Sequence, residues 1–234
     1  MKLSIPGKTR QGVKGDDQGR CSRQGAKSAA TRKMILAAAR RIFRCQPYQS
    51  ASFRMIGQEG GFSFTLINHY FSKAQLFEEV AQEVLDELLA ASLGWVEGLD
   101  TVSAEKGLSL FLDRALDYLF DKPDAVLLLM QNVAQADLDG ELPGFARFSG
   151  YVTEAKKMIT RVVPGSYDQE QVVWWVYNVI NLMITYVGAS AYHGRVLGLD
   201  ADSPEYRQWI KESLLYLFLP PLKRMAKSTI ETDK

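Results

Sequence analysis

Eight side chains between positions 54 and 73 concentrate the chemistry this sequence offers: Arg54, Ser63, Phe64, Thr65, Asn68, His69, Tyr70 and Lys73. They bring together two cations, hydroxyl and amide groups that donate and accept hydrogen bonds, an imidazole and aromatic rings. Such a set can hold phosphates and read base edges in a DNA groove. On a helix, Phe64, Thr65, Asn68 and His69 turn outward together, while Leu66, Ile67 and Tyr70 form the opposite, buried side. Elsewhere the chain is poor in reactive constellations. Its two histidines, His69 and His193, belong to separate regions, and its two cysteines, Cys21 and Cys45, form neither a disulfide framework nor a metal-ligand cluster. There is no Gly-rich phosphate loop and no nucleophile motif. The expectation is a protein that is not an enzyme, with no catalytic residue, metal or cofactor.

The elements that must position these side chains are legible around them. Ser52 is placed to cap a helix carrying Phe53 and Ile56; Gly60 and Gly61 break it, and Ser63 caps the next. Two short helices around a tight turn give helix-turn-helix geometry, whose second helix enters the major groove of double-stranded DNA. Before them, a helix is expected from Ser28 or Thr31 to Cys45, with Ile35, Ala38, Ala39 and Ile42 on its core face, Arg40, Arg41 and Arg44 mostly solvated, and Pro47 as the stop. After them, a helix from Ser72 to Trp95 carries two apolar rows, Leu76, Val80, Val84 and Leu88 beside Phe77, Ala81 and Leu85, wide enough to touch two domains.

From Arg32 to Val80 this pattern resembles the N-terminal DNA-binding domain of TetR-type transcriptional regulators. The resemblance rests on Ile35, Ala38, Ala39 and Phe43, then Ile56, then Gly61, Phe62 and Ser63, then Tyr70 and Phe71 before Lys73. It implies a three-helix DNA-binding domain, a larger helical domain that binds a small hydrophobic effector, and a homodimer formed by two long C-terminal helices, released as a repressor from a palindromic operator. Three features depart from the family pattern: Asn68 stands where a Tyr is usual, Phe64 where a small or polar residue is common, and the loop from Phe71 to Lys73 is one residue short. Phe64 is suited to a thymine methyl. Beyond Leu88 the resemblance is architectural only.

Charge divides the chain in the same place. Residues 1–80 hold 14 Lys and Arg against 5 Asp and Glu, whereas residues 81–234 hold 14 against 22, although the whole is only +1. A basic head on an acidic body implies a polyanion at one end. The expected domains are a disordered basic arm over 1–27, the DNA-binding domain over 28–75, and the ligand-binding and dimerisation domain over 76–234. The arm has two readings, a segment that follows the DNA backbone or a solvated tail. It lacks the apolar run of a signal peptide, and cytoplasmic residence is expected.

The body reads as all-helical: about Ser103 to Phe120, Pro123 to Leu138, Pro143 to Val163, Asp168 to Leu197, and a last helix from Ser203, which Pro220 and Pro221 should kink or end. Residues 172–192 carry no charge, long enough for a membrane span. Asn178, Asn181 and Thr185 form a polar stripe there that lipid would penalise, so a core and interface helix is expected instead, with no membrane partner. Gln131, Asn132, Gln135, Trp174, Asn178, Asn181 and Thr185 are the candidate effector-binding residues, polar or aromatic groups around an apolar cavity. The competing class is a helical ligand-binding or membrane-associated protein whose basic end serves anionic surfaces without reading DNA sequence.

Overall fold

A computed structural model describes residues 17–133, 143, 145–162 and 168–227. Among them are ten α-helices and no strand: α1 (Asp17–Phe43), α2 (Phe53–Gly60), α3 (Phe64–Tyr70), α4 (Lys73–Trp95), α5 (Ala104–Asp121), α6 (Asp124–Val133), α7 (Phe145–Val162), α8 (Gln169–Gly188), α9 (Ser190–Leu197) and α10 (Pro204–Lys227). The all-helical fold class follows from the sequence as expected. Helices α1 to α3 form the small N-terminal unit, and α5 to α10 the body.

Helix α4 joins the two because it is apolar on more than one side. Every residue of its two expected rows is buried, and Phe77 meets Phe43 of α1 edge-on at 4.9 Å between ring centroids. The start of α4 is set locally: Gln75 N–H donates to Ser72 Oγ at 3.2 Å, while Ser72 N–H donates to Gln75 Oε1 at 3.1 Å. This reciprocal pair satisfies two backbone donors that a helix start leaves unpaired. In the body, Tyr206 of α10 is fully buried and donates its hydroxyl to the Tyr186 carbonyl at 2.6 Å.

Three boundaries differ from those expected. Helix α1 begins at Asp17, so residues 17–27, read as disordered arm, are helical. Gln, Arg, Ala and Lys favour this helix intrinsically, and an acidic residue at its positive N-terminus helps. Residues 25–30 are exposed, so local propensity rather than packing supports that extension. The uncharged run does not form one rod: α8 and α9 meet at a 79° bend. No single described helix is long and apolar enough to cross a membrane. Finally, α10 continues through Pro220 and Pro221 to Lys227, held by Leu222 and Met225, which are buried against the core beyond the prolines.

Candidate nucleic-acid interface

The turn between α2 and α3 is built from three local features. Ser52 Oγ accepts from the Met55 N–H at 3.3 Å and Ser63 Oγ from the Leu66 N–H at 3.1 Å, so both helices start at capped ends. Gly61 closes α2 with φ of 72°, a left-handed conformation that side chains disfavour. Gly57 admits the returning chain: Phe62 N–H donates to the Gly57 carbonyl at 2.8 Å, and a Cβ on Gly57 would stand 2.5 Å from the Phe62 carbonyl oxygen. Only hydrogen fits there.

Ile56 and Ile67 are completely buried, each worth roughly 1.5–3 kcal/mol of removal from water; α2 packs on α1, and α3 in turn on α2. With Ile67 inward, and Leu66 and Tyr70 half-buried, the helical period turns Phe64, Thr65, Asn68 and His69 to solvent. Phe64 is 61% exposed, an unusual state for a phenyl ring on a short helix. Among the described residues, the side chains of Thr65 and Asn68 form no hydrogen bond, which leaves their donors and acceptors available to a partner. Arg54 and Ser63 are exposed; the His69 ring lies edge-on to Tyr70, with centroids 5.6 Å apart.

Lys73 is held more tightly than a surface lysine. Its Nζ donates to the Gln49 carbonyl at 3.1 Å and sits 4.7 Å from the centroid of the Tyr48 ring; burial lowers its pKa from the ordinary lysine value. One ammonium hydrogen is engaged in that bond, and the others remain for an anion.

The basic head is less available than its formal charge suggests. Arg32 pairs with Glu79, Arg41 with Glu59, and Arg44 with Asp124 at 3.2 Å. Arg40 makes two 2.7 Å hydrogen bonds to Glu87 and one of 2.6 Å to Asp124. The Glu87 hydrogen bonds, more than any other cause, raise the Arg40 pKa, and the same bonds lower that of Glu87. The arginines expected to be solvated therefore tie α1 to α2, α4 and α6. Such pairs are partly exposed and contribute about 0–1 kcal/mol each, but they fix geometry.

The family model of the bacterial regulatory proteins, tetR family, matches residues 35–80. These residues run from the first buried isoleucine of α1, through the turn, into α4. Over this segment the chain is similar to TetR-family transcriptional regulators. Solved structures agree in fold. A tetR-family transcriptional regulator from Streptomyces coelicolor superposes with a TM-score of 0.62 at 18% identity, over 86% of this chain and 83% of that one. PfmR from Thermus thermophilus, a TetR family transcriptional regulator, gives 0.52 at 18% identity, over 79% and 96%. FadR from Bacillus subtilis, a transcriptional regulator in complex with stearoyl-CoA, gives 0.57 at 13%, over 78% and 96%. No curated protein sequence matches the chain.

In the body, apolar space lies where α4, α5, α7, α8 and α10 converge. A chamber of about 30 Å³ is lined by Ser92, Trp95, Tyr151, Met158, Val179 and Met183 among others. A second of about 170 Å³ is lined by Leu99, Val102, Leu108, Val162, Leu222 and neighbours, and Phe111, Ile159 and Trp175 border both. Tyr151 is a buried polar group in this region. Burial pushes its pKa up, opposed by a hydrogen bond with Ser92, so the phenol stays neutral.

The candidate effector residues that the structure describes are not brought together around this space. Asn132 is buried on α6, where its Oδ1 accepts from the Tyr48 N–H and its Nδ2 donates to the Leu128 carbonyl, both at 2.8 Å. Gln131 is half-buried on α6, and Gln135 lies outside the described residues. Asn178, Asn181 and Thr185 each donate to a carbonyl four residues earlier on α8, at 2.7–2.8 Å. Trp174 is 58% exposed. The inward tryptophan is its neighbour, Trp175, whose Nε1 donates to the Phe218 carbonyl at 3.0 Å. A sequence signal for that choice exists: Val172, Val176, Val179 and Met183 continue the helical row of Trp175, not of Trp174.

What the outer side of α8 presents instead is an aromatic surface. Trp174 and Tyr177 of α8 are 58% and 49% exposed, and Tyr216 and Leu217 of α10 are 82% and 45% exposed. Trp174, Asn178, Leu182, Leu217 and Pro221 line a shallow groove between the two helices.

Proposed function

We propose that this protein is a TetR-family transcriptional regulator, a homodimeric repressor released from a palindromic operator by a small hydrophobic effector. The observation that carries the reading is the outward face of α3, where Phe64, Thr65, Asn68 and His69 stand exposed on the fully buried Ile67. In this reading Thr65, Asn68 and His69 address base edges, Phe64 packs on a thymine methyl, and Arg54, Ser63, Tyr70 and Lys73 hold the phosphate backbone. Residues 28–75 form the DNA-binding unit and 76–234 the sensing and dimerising unit. The basic residues of 1–27, of which Arg20, Arg23 and Lys27 stand on the α1 extension, follow the DNA.

The dimer is formed by α8 and α10. Their exposed Trp174, Tyr177, Tyr216 and Leu217 supply the aromatic anchors typical of a stable interface, and two recognition helices are needed because one short helix reads too few base pairs. The effector occupies the space bordered by Phe111, Ile159 and Trp175, with Tyr151 as its orienting polar group. The complex of FadR with stearoyl-CoA supports an effector bearing a long apolar chain. Binding favours a conformation in which the two α3 helices no longer match successive major grooves, about 34 Å apart.

Selection of duplexes from a random library at about 0.15 M salt tests the reading, since that ionic strength screens weak surface charge. Enrichment of one palindrome is expected, followed by its release on titration with acyl-CoA thioesters of increasing chain length. Binding without sequence preference that fades with salt overturns the regulator mechanism, and a palindrome insensitive to every chain length overturns the effector class.

A further inference from the structure

Helix α6 is attached to the DNA-binding unit at both ends. In its first turn the Asp124 carboxylate accepts from Arg40 of α1 at 2.6 Å and from Arg44, just beyond the end of α1, at 3.2 Å. In its last turn, about 12 Å further along the axis, Asn132 accepts from the backbone N–H of Tyr48, in the loop between α1 and α2, at 2.8 Å. Asn132 is 2% exposed, and its amide donates to Leu128 of its own helix, so the side chain is held in one orientation by both of its functional groups. A buried acceptor fully engaged in this way resists displacement, because breaking the bond strands a backbone N–H away from water.

The Tyr48 loop in turn holds Lys73. The Tyr48 ring lies under the ammonium at 4.7 Å and beside Phe77 at 5.0 Å, and the next carbonyl, that of Gln49, accepts from Lys73 Nζ at 3.1 Å. Lys73 opens α4, two residues beyond the end of α3 at Tyr70 and Phe71. On its other side α6 packs directly on the backbone of α8: a Cβ on Gly188 would stand 2.5 Å from Met130 Cγ and 2.9 Å from Val126 Cγ1. A continuous set of contacts therefore runs from α8, which walls the cavity, through α6 and Asn132 to the Tyr48 loop and Lys73.

We propose that Asn132 is a positioning residue for DNA binding: it fixes the Tyr48–Gln49 backbone and thereby the place of the Lys73 ammonium beside α3, so that movement of α6 changes the Lys73 contact with phosphate. The inference rests on the DNA-binding reading above and adds to it a residue that touches neither DNA nor effector.

The test uses the full chain and the operator selected by the wild type, with affinity measured by fluorescence anisotropy across a salt series. One phosphate contact contributes about 0.9 to the slope of log affinity against log salt. Lys73→Met is expected to lower the slope by about that amount and to weaken binding on all duplexes alike. Asn132→Leu, which keeps the bulk and removes both hydrogen bonds, is expected to lower it equally, and the double variant to show no further loss. Tyr48→Leu, which keeps the backbone N–H and removes the ring beneath the ammonium, is a second route to the same result should Asn132→Leu lose its helical circular dichroism. Asp124→Asn loosens the other end of α6 and is expected to leave the slope at the wild-type value. A wild-type slope in Asn132→Leu or Tyr48→Leu, additive losses in the double variant, or an equal change in Asp124→Asn overturns the positioning role alone. If the wild type selects no duplex, the DNA-binding reading and the inference fall together.

Discussion

Helices α3 and α8 both carry Asn and Thr at helical spacing, and they put those groups to opposite uses. On α3, Thr65 and Asn68 point to solvent and form no side-chain hydrogen bond among the described residues. On α8, Asn178, Asn181 and Thr185 all turn back on their own helix and bond carbonyls one turn earlier. The reason is length and surroundings. Helix α3 has seven residues, capped by Ser63 and seated by one fully buried isoleucine, so most of its surface remains free. Helix α8 has twenty residues and a broad buried face, and its polar side chains on the outer side are satisfied locally while Trp174 and Tyr177 stand out beside them. A polar stripe thus marks a recognition surface only where its hydrogen-bonding groups are unspent. On α8 the informative residues are the rings.

The comparison breaks most readily at the turn that presents α3. Gly57→Val would drive a side chain into the Phe62 carbonyl, a clash that costs about 1–3 kcal/mol or more as overpacking does. Loss of operator binding by at least 100-fold is expected, with a lower melting temperature, checked by anisotropy and circular dichroism. Next comes the outer face of α8: Trp174→Glu combined with Tyr216→Glu is expected to shift the protein to monomer in sedimentation equilibrium without loss of helicity, because both side chains are exposed in the single chain. A dimer of unchanged affinity would remove α8 and α10 from the interface.

Smaller effects sharpen the contrast. Asn68→Ala should cost about 1–3 kcal/mol of discrimination at one base pair, measured by competition between operators differing at that position. Asn178→Ala should change stability in urea by less than about 0.5 kcal/mol, since the exposed side chain bonds only its own helix. Titration to high pH probes the core under α10. Burial raises the Tyr206 pKa to about 12. The folded state then holds a proton that the unfolded chain releases near pH 10, so this contribution is complete below pH 10 and is lost as pH rises from 10 through 12. Tyr206→Phe should flatten the urea midpoint over that interval.

Much of the head was legible because its determinants are local. Ser52, Ser63 and Ser72 cap the helices they precede, Gly61 adopts the left-handed turn, and Ile35, Ile56 and Ile67 are buried at their helical spacing. What escaped sequence reading there was the fate of the α1 arginines, which a charge count treats as a field for polyanions and which the packing of α1 on α4 and α6 converts into ion pairs. In the body, the rows of α4 were readable from periodicity, but the one helix expected over 168–197 is divided into α8 and α9 by a bend that follows Gly188, a residue packed against Met130 and Val126, nearly sixty residues away.

By itself, then, the sequence determined the elements that are closed by short-range chemistry: caps, glycine turns, apolar rows, and a helix-turn-helix whose outward residues follow from helical period. Only the tertiary structure decided where the apolar space lies and that Asn132 reaches across to Tyr48. Those outcomes depend on the relative placement of whole helices, and a rotation of one residue, about 100° on a helix, exchanges a cavity wall for an exposed face.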